Sequence, residues 1–425
     1  MSVFYRSKRF LCGWLAGWSI HTAAFFMSFY GGIYIVSLPF VVSFVGGTDK
    51  DLGLCASLGF VSYLTGCIAT GPLLDRFNPR RLAQLGSLGV SVSVAALLII
   101  VLLKLCAQNL PHPVILVIIT SAFSGLVTSL YWPPIMGWLS IGHEGPDLNR
   151  RLGVYNISWS AGLAVSPFLG GVLVQSSLLA SLFVGMIFAV LAFVAITLAH
   201  APGRKTANGQ SQIANPDLSG QAGSLLPGFR WMAAIALATV FTCVGLMKTQ
   251  LALLFTMELG FSKSHFGAVT AVIWLVNCLV FFAASKTHLW HYKILPLILA
   301  QLAVLGSMLV IIKSSLIISF FFVAVLMGFG QAFAYVSHQF YAASQSRKRS
   351  GSMAVHEILL SAGQIMGFLA GGYLADSFGR RAVPYWFGFS VVLTGMIVQL
   401  AMITKRPTSS PKSPSIKPSS TSTQR

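Results

Sequence analysis

Carboxylates are almost missing from this chain. Nine Asp and Glu stand against 28 Lys and Arg in 425 residues, and charged residues of both signs make up only 9% of the total. A soluble globular domain carries about one quarter charged residues, so that class is excluded. Cysteine is scarce as well. Cys12, Cys55, Cys67, Cys106, Cys243 and Cys278 lie in or beside apolar runs, with no metal-ligand spacing and no disulfide framework. No polar stretch is long enough to house a soluble catalytic domain. The apolar runs contain no His-Glu-x-x-His, no pair of aspartates and no Ser–His arrangement at a common depth. Enzyme chemistry is therefore not expected, nor is a cofactor or a metal.

What fills the sequence instead is apolar, at 55% of residues. Runs of about 20 residues, the length that crosses a bilayer core, recur along it. Twelve are read at roughly 15–40, 52–73, 82–104, 114–138, 153–175, 178–199, 229–256, 265–285, 293–312, 315–343, 353–376 and 384–404. Unsatisfied backbone is costly in hydrocarbon, so runs this long predict helices. The first follows a basic N-terminus but is too long for a signal peptide and has no clean cleavage site, so it is read as a span. The fold class is thus an all-α membrane protein of two six-helix bundles, residues 1–200 and 229–404. A polar Gly/Ser/Asn/Gln-rich linker, 201–228, is expected to be flexible and cytoplasmic. A Ser/Thr/Pro/Lys-rich tail, 405–425, is expected to be disordered.

The formal charge of +19 would suggest nucleic acid in a soluble protein. Its distribution argues otherwise. With both termini inside, 21 of the 28 Lys and Arg fall in cytoplasmic segments, six (Lys50, Lys104, Lys263, Lys313, Arg380, Arg381) fall outside, and Lys248 lies within a span. This is a positive-inside bias and not a polyanion-binding surface. A bacterial-type cytoplasmic membrane is the expected location. Arg380 and Arg381 are a local exception.

One motif recurs. Gly162, Ser166 and Gly170 are spaced four apart in the fifth span, so one helix face carries only small residues and admits close backbone approach. Ser160-Ala161-Gly162 returns 201 positions later as Ser361-Ala362-Gly363, and Gly170-Gly171 returns as Gly371-Gly372; Gly363, Gly367 and Gly371 repeat the stripe. Paired halves of this kind are typical of carriers that rock one half against the other, and the smooth faces are expected to permit the rocking. Between the second and third spans stands Gly71-Pro72-Leu73-Leu74-Asp75-Arg76-Phe77-Asn78-Pro79-Arg80-Arg81. Asp75 can sit at a helix N-terminus or pair with Arg150 or Arg151, forming a latch at the inner ends of the halves. Alternatively, Arg76, Arg80 and Arg81 only fix topology.

On these residues the chain resembles a twelve-span transporter of the major facilitator superfamily. Residues 71–81 are similar to its loop signature, with Asn78 where Gly is usual and Pro79 where a basic residue is common. Residues 153–171 are similar to the fifth-span signature associated with antiporters: Gly153, Gly162, Pro167, Gly170 and Gly171 match, and Ser166 replaces a glycine. The resemblance implies alternating access and leans towards efflux by exchange. Two departures stand out. The matching loop of the second half, 285–293, has no Asp, and the fourth span lacks the Arg often found in proton-coupled antiporters.

Eight of the nine carboxylates fall in loops or at helix ends, leaving Glu357, beside His356, as the one candidate for coupling a proton or cation. A helix-start acid favoured by the dipole is the alternative. Lys248 has no carboxylate nearby in sequence. It faces a water-filled cavity, pairs with a distant group, binds an anionic substrate or snorkels to the outer interface. His21, Tyr34, Tyr131, Asn156, Gln250, Asn277, Gln331, Tyr335, His338 and Gln364 are further candidates for lining a substrate cavity, although each is also an ordinary interhelical hydrogen-bond partner. Pro133 and Pro134 are expected to kink the fourth span. The expectation is a carrier for a small organic solute, embedded in the bilayer as a monomer and exporting by ion coupling. Uptake of an organic anion on Lys248 and a non-transporting sensor or scaffold are the alternatives.

Overall fold

The computed structural model describes the backbone of residues 2–74, 77–107, 110–140, 145–199, 221–287, 289–343 and 349–404. Among the described residues it has thirteen α-helices and no strand. They are α1 (Ser2–Phe44), α2 (Asp49–Leu74), α3 (Pro79–Cys106), α4 (Pro113–Thr128), α5 (Trp132–Ser140), α6 (Gly145–Ser176), α7 (Leu178–Leu198), α8 (Gln221–Leu253), α9 (Lys263–Lys286), α10 (Leu295–Lys313), α11 (Ile317–Ala343), α12 (Arg349–Phe378) and α13 (Val383–Thr404). Twelve stretches are long and apolar enough to cross a membrane, α4 and α5 sharing one of them. Helices such as α3 are apolar all round. Ala83, Val90, Val94 and Leu97 face inward while Leu85, Leu88, Val92 and Ile99 are exposed, as a lipid-facing surface requires.

The connections carry their own chemistry. Gly46, at φ 87°, ends α1, and Thr48 with Asp51 opens α2: Thr48 N donates to Asp51 Oδ2 (2.8 Å) and Asp51 N to Thr48 Oγ1 (3.3 Å), a reciprocal cap. Asn78 caps α3 by accepting from Arg80 N at 2.9 Å, with Pro79 in the first turn. The two residues that depart from the loop signature thus form a helix start. The fourth span breaks at residues 129–131 instead of merely bending. Pro133 and Pro134 cannot donate to the carbonyls of Ser129 and Leu130, so the helix restarts at Trp132.

Packing follows a twofold plan. In the first half α6 and α7 lie on α1, α4 lies on α2, and α3 contacts α7 and α4. In the second half α12 and α13 lie on α8, α11 lies on α9, and α10 contacts α13 and α11. The halves meet along two helix pairs, α6 with α9 and α12 with α2. The Gly162–Ser166–Gly170 stripe seats on Phe25, Gly32 and Ile33 of α1, and the Gly363–Gly367–Gly371 stripe on Ala238, Thr242 and Leu246 of α8. Both stripes therefore face a helix of their own half. The neighbouring positions look across the interface. A Cβ on Gly267 would meet the Pro167 carbonyl and Gly171, and one on Gly53 would meet Phe368 and Gly372.

Candidate functional site: a cavity between the halves

α6/α9 and α12/α2 pack backbone to backbone at Gly171–Gly267 and Gly53–Gly372, and larger side chains of the same helices meet further along. They enclose a cavity of about 360 Å³ lined by residues from α1, α2, α4, α5, α6, α8, α9, α11 and α12. Its walls are rich in aromatic side chains. Phe60 and Tyr63 (i, i+3) come from α2, Tyr155 and Trp159 (i, i+4) from α6, Trp274 and Phe281 (i, i+7) from α9, and Trp132 from α5. Trp159 reaches across the halves, its ring centroid 6.1 Å from Trp274, 5.8 Å from Phe281 and 6.2 Å from Tyr335, in edge-to-face contact with each. Phe60 meets Phe368 at 5.2 Å.

Two charged groups line this cavity. Lys248 projects from α8 and donates from Nζ to Gln364 Oε1 at 2.6 Å, while its ammonium lies 5.6 Å from the Phe60 ring centroid and 5.9 Å from that of Trp274. Among the described residues no carboxylate pairs with it; the ion pairs of that set belong to Arg380. Glu357 is the only carboxylate lining the cavity among the described residues, and it shares a face of α12 with Gln364 and Phe368 at i, i+7 and i+11. Asn277 also lines the cavity, is 1% exposed, and leaves its Oδ1 without a hydrogen-bond partner.

Of the candidates read from the sequence, Tyr34, Lys248, Asn277, Gln331, Tyr335, Glu357 and Gln364 line the cavity. Tyr34 shares a 3.1 Å hydrogen bond with Ser121 Oγ. Asn156 stands outside it and links the halves, donating to Gln339 Oε1 at 3.5 Å and accepting from Trp159 Nε1 at 3.1 Å. His338 is buried between α11 and α12, its Nδ1 2.8 Å from His356 Nδ1. Gln250 and Tyr131 are buried away from the lining, and His21 is not among the lining residues. The aromatic walls went unread because an aromatic at helical spacing in a span resembles lipid-facing packing; only the repeated i, i+3 and i, i+4 pairs hint at them.

Of the gating candidates, Asp75 and Arg76 lie outside the described residues, as do the side chain of Arg150 and the surroundings of Gly71. Arg80 donates to the Thr197 carbonyl of α7, within its own half, and Arg81 and Arg151 are exposed. Among the described residues, the ion pairing between halves lies at the other end of the bundle. Arg380 meets Asp49 at 2.8 Å, and its backbone N–H donates to Glu258 Oε1 at 3.1 Å. Asp49 is 4% exposed. Gly379, at φ 90°, turns the chain after α12 so that Arg380 reaches both acids. Glu258 is presented by a π-helical turn, Leu254–Glu258, that ends α8. Close by, Lys263 N donates to Gln175 Oε1 at 2.9 Å, and Lys50 Nζ sits 4.8 Å from the Tyr373 ring centroid. Arg380, the local exception in the charge distribution, thus has acidic partners. Arg381 instead holds Ser314 O and Ser315 Oγ within the second half.

A family model described as Major Facilitator Superfamily matches residues 20–316 and 289–424. The chain is 20% identical over 391 residues to the quinolone resistance protein NorA of Staphylococcus aureus (strain MRSA252), covering 88% of this chain and 93% of that protein. It is 26% identical over 153 residues to a tetracenomycin C resistance and export protein of Streptomyces glaucescens, a match taking in 34% of this chain and 26% of that protein's length. Among solved structures, a POT family transporter in complex with 5-aminolevulinic acid superposes with a TM-score of 0.68 at 12% identity, covering 91% of this chain and 95% of that one. The nucleoside transporter NupG superposes with a TM-score of 0.67 at 10% identity, covering 91% and 99%. At these identities the structural likeness speaks for the fold.

Proposed function

Since the chain belongs to the major facilitator superfamily, and is by that membership a secondary transporter in a membrane and not an enzyme, we propose that it exports a small organic solute by ion-coupled alternating access. The observation that carries the reading is the central cavity, walled by both halves and holding one ammonium and one carboxylate in an otherwise uncharged surface rich in aromatic rings. The curated relatives named for resistance and export support the outward direction. With both termini cytoplasmic, as the basic segments favour, Asp49, Glu258 and Arg380 lie on the outer face. Their ion pair then holds the outer ends of the halves together, and separating it opens the cavity outward. Glu357 is the group best placed for coupling, since an intramembrane carboxylate can carry a proton across.

Purified protein in proteoliposomes provides the test. A labelled ligand found by thermal-shift screening should exchange across the membrane and accumulate when a proton gradient is imposed. Glu357→Gln should abolish gradient-driven accumulation and keep ligand exchange. No exchange for any bound ligand would reject transport in favour of a sensor or scaffold. Exchange without any response to ion gradients would reject coupling. Uptake of an organic anion is the second reading, favoured by the lack of an acidic partner for Lys248 among the described residues.

A further inference from the structure

We propose that the cavity selects a planar aromatic monoanion, such as an aromatic carboxylate, whose charged group docks on Lys248 and whose ring lies between Phe60 and Trp274. This rests on the reading of the cavity as the substrate site and narrows it to a chemical class. An ammonium removed from bulk water needs an opposite charge or a full set of acceptors. Lys248 has one acceptor, Gln364 Oε1, for three donor protons, and no acid beside it among the described residues. An anion in the cavity would accept from the remaining N–H donors and neutralise the ammonium. The same ammonium sits within 6 Å of two ring centroids, one from each half. An anion bridging to it is thus held where flat faces flank it, and a ring attached to that anion stacks there at little entropic cost. Charge count sets the upper limit. Glu357 lines the same cavity and repels a second negative group, so a dianion is disfavoured. A lipophilic cation meets Lys248 head on. Asn277, buried with a free Oδ1 on the lining, supplies an acceptor for a phenolic O–H or an amide N–H carried by the ring.

Tryptophan fluorescence reads this directly, because Trp132, Trp159 and Trp274 line the cavity. Protein in nanodiscs is titrated with four probes of matched size: 2-naphthoate, 2-naphthamide, 2-naphthylmethylammonium and decahydro-2-naphthoate. Naphthoate should bind at least about tenfold more tightly than either the neutral or the cationic probe, as loss of one charge-assisted contact implies, and more tightly than its saturated analogue. Lys248→Gln should bring naphthoate down to the level of the amide, and Lys248→Arg should restore the preference. Equal or better binding of the amide or the ammonium overturns the proposal, as does an unchanged anion preference in Lys248→Gln. Should that variant fail to fold, the four-probe series on the unaltered protein still decides. Naphthoate counterflow in proteoliposomes separates the two readings. Selective binding without flux sinks transport and leaves the ligand class standing. Flux of the cationic probe with no preference for anions sinks the ligand class and leaves transport standing.

Discussion

Single atoms decide how close these helices approach. A Cβ added at Gly367 would collide with the Thr242 carbonyl, a backbone group that cannot swing aside, whereas one added at Gly153 meets nothing within 4 Å. Gly367→Ala is therefore expected to cost about 1–3 kcal/mol through overpacking. Gly153→Ala should be neutral or gain about 0.5–1 kcal/mol of helix propensity. Unfolding midpoints of the two variants in detergent check the contrast, and similar midpoints would contradict the packing described for α8 and α12. Residue-level chemistry was partly legible from the sequence. Lys248 and Glu357 stood out because a charge within an apolar run is rare. Asp49 and Glu258 did not, since acids at helix ends are common and their partner Arg380 is distant in the chain.

Helices were the most legible level, because a run of some twenty apolar residues has one low-energy backbone in hydrocarbon. The twelve stretches read from the sequence correspond to the twelve found, with ends moved by a few residues. Ends moved because caps and not hydropathy set them: α2 starts at Asp49 through the Thr48–Asp51 pair, three residues before the apolar run. Which face of a helix meets which neighbour was not legible, since in lipid both faces are apolar. The small-residue stripes of α6 and α12 accordingly seat on α1 and α8 and not on the opposite half. Losing a cap is measurable. Asn78→Ala should destabilise the start of α3 by about 1 kcal/mol, read as faster amide exchange in residues 80–83. Unchanged exchange would mean that the Asn78 side chain contributes nothing there.

For the whole molecule, the two halves are joined at one end by charge and along their length by close helix crossings. Asp49→Asn removes the carboxylate facing Arg380 without changing size. It should favour separation of the halves at that end, seen as several-fold faster exchange in residues 258–263 and 376–383. The reversed pair, Asp49→Arg with Arg380→Asp, should recover part of the protection. Exchange indifferent to both changes would remove the ion pair from any account of closure. The crossings carry a different consequence. At Gly171 with Gly267, and at Gly53 with Gly372, backbone lies against backbone with no side chain between, and neither crossing is formed by the residues that would grip a cargo. A lipophilic molecule wedged into either seam from the bilayer would stall the carrier noncompetitively: raising the cargo concentration could not relieve the block.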